Sequence, residues 1–122
     1  MFQIDCVEGR LTADPVLAKT TTGKTYAYFN IATDRDYKTV DGKKITDFNH
    51  VVVWGKTASF VHKNFKKAST VIVVGRFESY DKIDDEGKKL RSTSLNAHRV
   101  YLISNYQSTP YDQMGQAKET SE

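Results

Sequence analysis

The run from Asp47 to Gly75 constrains the fold more than any other part of the chain. It opens on Asp-Phe-Asn-His-Val-Val-Val-Trp, whose aromatic and β-branched content favours a strand with alternate residues on opposite faces. Gly55 breaks that strand. Thr57 is the candidate cap of the next segment, where Phe60, Val61, Phe65 and Ala68 recur at helical spacing and Lys63, Lys66 and Lys67 take the other face. The spacing predicts an amphipathic helix of about three turns. Thr70 to Gly75, Thr-Val-Ile-Val-Val-Gly, is then too short for a helix and too branched for a loop. The centre reads strand, helix, strand.

The flanks supply three more strands. Ile4 to Leu11 is the first, ended by Asp14-Pro15, because proline fixes its own φ and restricts its predecessor. Thr20 to Lys24 is a turn. Thr25 to Thr33 is the second strand, with Ala27, Phe29 and Ile31 on its core face and Tyr26, Tyr28 and Asn30 on the other. The polar segment Asp34 to Lys44 is expected to project as a loop, with a tight Asp-Gly turn at Val40 to Lys43. After the centre, Arg76 to Lys82 continues strand four, Asp84 to Gly87 makes a second hairpin turn, and Leu90 to Ile103 is strand five. Five strands with one α-helix between strands 3 and 4 is the order of an all-β OB-fold, a small five-stranded Greek-key barrel.

The length suits one domain with a core needing neither disulfide nor metal, so residues 1–105 are expected to form the barrel and residues 106–122 a disordered polar tail. No apolar run approaches the roughly 20 residues that span a bilayer, and no basic region followed by an apolar one marks the N-terminus for export. No membrane role and a cytoplasmic location are therefore expected. Cys6 is the only cysteine and the three histidines are scattered, so no metal cluster and no cofactor is predicted. Residues 1–105 hold 17 Lys and Arg against 12 Asp and Glu, a balance of +5. Residues 106–122 hold one against three, a balance of −2. A mildly basic body suits a polyanion, a weak signal by itself.

The chemistry of the strands is more informative. If Val51 and Val53 fill the barrel, Phe48, His50, Val52 and Trp54 face outward. Large outward rings are covered by another subunit or offered to bases, each base being worth about 1–3 kcal/mol on an aromatic platform. Tyr37 and Tyr80 at the bases of the two hairpins extend the pattern, interleaved with cations: Arg35, Lys38 and Lys43 in one, Lys88, Lys89 and Arg91 in the other, and Lys56 after Trp54. The bland readings stand beside this one. Trp54 and Phe48 can equally be core, Tyr26 and Tyr28 can be subunit contacts, and Lys63, Lys66 and Lys67 read most simply as a solvated helix face. The hairpin cations are interleaved with acids, so solvated loops also fit. No nucleophile accompanies His50, His62 or His98, no glycine-rich phosphate loop is present, and Asp84-Asp85-Glu86 reads as a turn before it reads as a cation site, so an enzyme is not predicted.

The chain resembles the bacterial and phage single-stranded DNA-binding proteins from about residue 3 to residue 103. The resemblance rests on Gly9-Arg-Leu-Thr-Ala-Asp-Pro15, on Ala32-Thr33, on Asp47 to Lys56 and on Val71-Ile-Val-Val-Gly-Arg76, in order and at family spacing. It implies an OB-fold assembling as a homotetramer and binding single-stranded DNA without sequence preference in replication, recombination, repair or DNA uptake. The family's stacking aromatics fall on Tyr37, Phe48 and Trp54; a further one falls on Lys82, with Tyr80 two residues back as its replacement. Asn49 stands where many relatives carry a histidine at a subunit contact. The family's acidic tip closing on Pro-Phe is matched here by Lys-Glu-Thr-Ser-Glu, so tail-mediated recruitment of repair enzymes is not expected. The alternative is an OB-fold adaptor of primosome type whose rings serve oligomerisation.

Overall fold

The computed structural model describes residues 1–104; the expected domain boundary at residue 105 and the polar tail over 106–122 lie outside the described residues. Six strands and one helix follow in order: β1 (Asp5–Leu11), β2 (Val16–Lys19), β3 (Thr25–Lys38), β4 (Lys44–Trp54), α1 (Gly55–Asn64), β5 (Thr70–Ile83) and β6 (Lys89–Ser104). Five of them close a ring. The sheet order β1-β5-β6-β4-β3 returns to its start because the end of β1 also pairs with β3, at Arg10↔Ala32 and Leu11↔Ile31. The closing seam between β4 and β6 is parallel and short, Val51↔Leu95 and Val52↔Asn96. The helix lies between the third and fourth strands of the ring, as an OB barrel requires.

Alternation sets the core. Ala27, Phe29 and Ile31 of β3, Val51 and Val53 of β4, Val71 and Val73 of β5, and Leu95 and Ala97 of β6 point inward and are buried. Ala58 and Val61 of α1 plug one end with Phe65, whose ring meets Phe29 edge-on at 5.9 Å.

Four boundaries differ from the sequence reading. Val16–Lys19 is a sixth strand, antiparallel to β3 from Val16↔Tyr28 to Lys19↔Thr25, held as a hairpin by the Thr20–Lys24 turn. It lies at the sheet's edge and outside the ring. The segment from Asp34 to Lys44 is not a loop throughout, because β3 runs on to Lys38, with a break in register after Asp34, before the turn around Gly42 (φ +82). The helix stops at Asn64 instead of reaching Ala68. The reason is competition: Lys66 N–H bonds Ser69 Oγ at 2.8 Å, Lys67 N–H bonds Asp14 Oδ1 at 2.7 Å, and Ala68 N–H bonds Leu11 O at 2.9 Å, so the chain is tied to β1 and its loop. Thr57 is not the cap either. Trp54 occupies that position in extended conformation without a side-chain bond, and Gly55 (φ +64) makes the turn into the helix.

Candidate nucleic-acid interface

Register decides which side chains share a surface. Strand partners point to the same side of a sheet, so the pairs Tyr26↔Trp54, Tyr28↔Val52, Asn30↔His50 and Ala32↔Phe48 all sit on the outer face of β3 and β4. Val52 aligns with Asn96 of β6, and Asn96 with Arg76 of β5. Counting by twos from Arg76 brings Tyr80 and Lys82 onto that same outer face, with Leu90 and Ser92 opposite them. Three of the four predicted stacking residues, Phe48, Trp54 and Tyr80, therefore share one sheet face. They are open to solvent, at 69%, 42% and 48% exposure, which removes them from the barrel core.

The rings between them are organised as well. Trp54 packs on Tyr26 at 5.2 Å between centroids, Tyr26 on Tyr28 at 6.2 Å, and Tyr28 on His50 at 5.8 Å. His50 Nδ1 lies 3.0 Å from Asn30 Oδ1, which fixes the imidazole plane. Partial burial, and then the positive charge of Lys82, hold the His50 pKa below its ordinary value. Tyr26, Tyr28 and His50 are residues the sequence reading did not count among the stacking set; their outward parity was its only signal.

Tyr37 lies off that sheet face but lines a groove that Phe48 also lines. A bulge between Asp34 and Lys38 shifts the register of the first hairpin, and Arg35 turns to the side of Asp47, opposite Phe48. Its guanidinium grips Asp47 through two bonds of 2.8 and 2.9 Å, Nη1 donates to the Tyr37 hydroxyl at 3.0 Å, and Cζ lies 5.8 Å from the Tyr37 ring centre. The hydrogen bonds between them, and behind those the opposite charges, hold the Asp47 carboxyl below, and the Arg35 guanidinium above, its usual range. Tyr37, 60% exposed, thus stands on an arginine bracket over an open groove of about 1000 Å3 between β1 and the hairpin, lined by Cys6, Gly9, Thr33 and Asp47 among others.

The predicted phosphate ligands fall into two groups. Arg35 is committed to Asp47, and Lys89 and Arg91 both reach Asp81, at 3.6 and 3.9 Å, on the hairpin face opposite Tyr80. Lys38, Lys43, Lys56 and Lys88 make no ion pair among the described residues. Lys44, by contrast, is bridged to Asp34 at 3.4 Å, as is Arg10 at 3.7 Å. Among the described residues no group of three or more His, Cys, Asp and Glu is placed to hold a metal ion, and no helix is long and apolar enough to cross a membrane.

A closed five-stranded barrel with one helix between its third and fourth strands, an outer sheet face of exposed rings and two flanking hairpins of mixed charge places the chain in the OB-fold class. Within that class the chain belongs to the single-strand binding protein family, whose pattern it matches over residues 4–103. It is 37% identical over 96 residues to the single-stranded DNA-binding protein of Fusobacterium nucleatum, covering 77% of this chain and 62% of that protein. It is 36% identical over 95 residues to single-stranded DNA-binding protein 2 of Listeria monocytogenes, covering 78% and 59%. The chain thus spans about three fifths of the length of the relatives it matches. In three dimensions it is similar to Plasmodium falciparum SSB, solved in complex with ssDNA, with a TM-score of 0.76 over 85% of this chain and 96% of that one. At 17% identity that likeness speaks for the fold.

Proposed function

We propose that the protein binds single-stranded DNA without sequence preference, as a homotetramer, and coats it in replication, recombination, repair or DNA uptake, with no catalytic step of its own. The observation that carries this reading is the outer sheet face on which Phe48, Trp54 and Tyr80 are exposed together. Every base has a π-face, so rings discriminate single strands from duplex without reading sequence. Tyr37 on its Arg35 bracket adds a stacking position at the groove. Lys38, Lys43, Lys56 and Lys88, which have no carboxylate partner among the described residues, take phosphates first, and Arg35, Lys89 and Arg91 do so by exchanging their present partners. The names of the relatives support the same ligand.

Trp54 is the only tryptophan, so its emission reports one position of the path. Oligo-dT should quench it, a duplex of equal length should not, and Trp54→Ala should weaken oligo-dT binding by about 1–3 kcal/mol. An emission unchanged through a titration in low salt removes Trp54 from the path, and no saturable binding of any oligo-dT defeats the reading. Light scattering of the free protein tests the tetramer.

A further inference from the structure

We propose that a second groove, between the first turns of α1 and the middle of β6, is a further contact site for the same single strand, extending its path beyond Trp54. The inference rests on the single-strand reading above and adds a site to it. The groove is open, with a volume of about 330 Å3, and is lined by Lys56, Thr57, Phe60, His98, Arg99 and Tyr101 among others.

Two features of the groove carry the inference. The first is charge. Each hairpin commits cations to its own carboxylates, through Arg35–Asp47, Lys44–Asp34, Lys89–Asp81 and Arg91–Asp81. Lys56 and Arg99 have no such partner among the described residues, and no Asp or Glu lines the groove. An unneutralised guanidinium and ammonium at one cleft fit a polyanion. Half-exposed rings of Phe60 and Tyr101 stand beside them, the pairing of cation and flat apolar surface that single-strand grooves combine.

The second is construction. Val74 pairs with Arg99 but Gly75 with Ala97, so His98 is an extra residue in β6 and the strand bulges. The bulge turns His98 and Arg99 out at consecutive positions. It is accommodated by Gly75, where a Cβ would press into the Asn96 carbonyl oxygen and lie 2.8 Å from Ala97 Cα. Continuity with the proposed path is direct, since Trp54 ends β4, Gly55 turns the chain, and Lys56 already lines the groove. In this arrangement Lys56 and Arg99 hold phosphates, His98 adds a hydrogen bond, and Phe60 with Tyr101 takes a base.

The test compares labelled oligo-dT of about 4 and about 16 nucleotides, the two ends of the range for one OB barrel, by anisotropy over a series of salt concentrations. The short strand is satisfied by the Phe48–Trp54 face; the long one reaches the groove. Arg99→Gln should leave the short strand unaffected and lower the salt slope of the long one by about 0.7. Phe60→Leu, which keeps apolar contact with Phe65, should weaken the long strand alone by about fivefold or more, the equivalent of one stacked base. Wild-type affinity of both variants for both lengths, with Trp54 still quenched, overturns the groove and leaves the single-strand reading standing. Loss of assembly in Arg99→Gln by light scattering, with binding per protomer unchanged, makes the groove a contact between copies and also overturns it. Absence of binding by the wild-type protein at either length defeats both.

Discussion

Arg35 shows how a residue's role changes once its neighbours are known. In the sequence it is a cation beside a tyrosine; in the fold it is the bracket that holds Tyr37, with Asp47 taking its charge. The depressed Asp47 pKa gives the bracket a pH signature. A carboxylate held below its ordinary value of 3.8 contributes above that value and loses its contribution as pH falls through the lower, folded-state one. The Tyr37 ring resonances in NMR should therefore stay constant from neutral pH down to about 4 and move only below it, and Asp47→Asn should move them at neutral pH. A midpoint above 3.8 would contradict the pairing. His50 carries the opposite test. Burial and then Lys82 depress its pKa, so Lys82→Gln should raise it toward 6.5 in an NMR titration. Because the folded state disfavours the charged imidazole, His50 contributes fully above pH 6.5 and less as pH falls through its depressed value.

At the scale of elements, the bulge in β6 and the turn after the helix each place a small residue under backbone constraint. Gly75→Ala should cost about 1–3 kcal/mol or prevent folding, because the added methyl meets backbone that no rotamer change can move aside. Urea unfolding measures it. Ala68 is the converse. It sits at φ +74, the left-handed region that costs a residue with a Cβ about 1–2 kcal/mol, so Ala68→Gly should raise stability by roughly 0.5–1 kcal/mol after the extra chain entropy of glycine. These positions also mark where the sequence stopped being legible. Period-two alternation put Phe29, Ile31, Val51 and Val53 inside and Phe48 and Trp54 outside, and the structure agrees, because burial on one face of a strand is a local property. Ala68 continued the helical spacing, yet bonds to Asp14 and Leu11 more than 50 residues away ended the helix first. Val16–Lys19 is four residues on an edge without a buried face, so it left no pattern to read. The pairing of Arg35 with Asp47 crosses a bulged hairpin, and spacing alone does not encode it.

For the molecule as a whole, the balance of charges matters less than how they are already spent. The chain carries +3, but the two hairpins that flank the ringed face arrive with Arg35, Lys44, Lys89 and Arg91 already matched by Asp47, Asp34 and Asp81. A cation that leaves a carboxylate for a phosphate leaves a negative charge uncovered, and so neutralises less of the strand's field than an unpaired one. Asp81 is the sharpest case, since one carboxylate faces both Lys89 and Arg91 while all three side chains are half-exposed or more. Removing its charge should therefore strengthen binding instead of weakening it. In Asp81→Asn, log affinity for oligo-dT should fall more steeply with log salt than in the wild type, by about 0.7 for each of the two cations that reaches a phosphate, and affinity in low salt should rise. The hairpin itself should survive, because its strands are held by backbone pairing from Gly75↔Ala97 to Ile83↔Lys89. An unchanged slope together with an unchanged affinity in low salt would mean that Lys89 and Arg91, on the side of the hairpin away from Tyr80, never touch the strand, and would confine the path to the outer face.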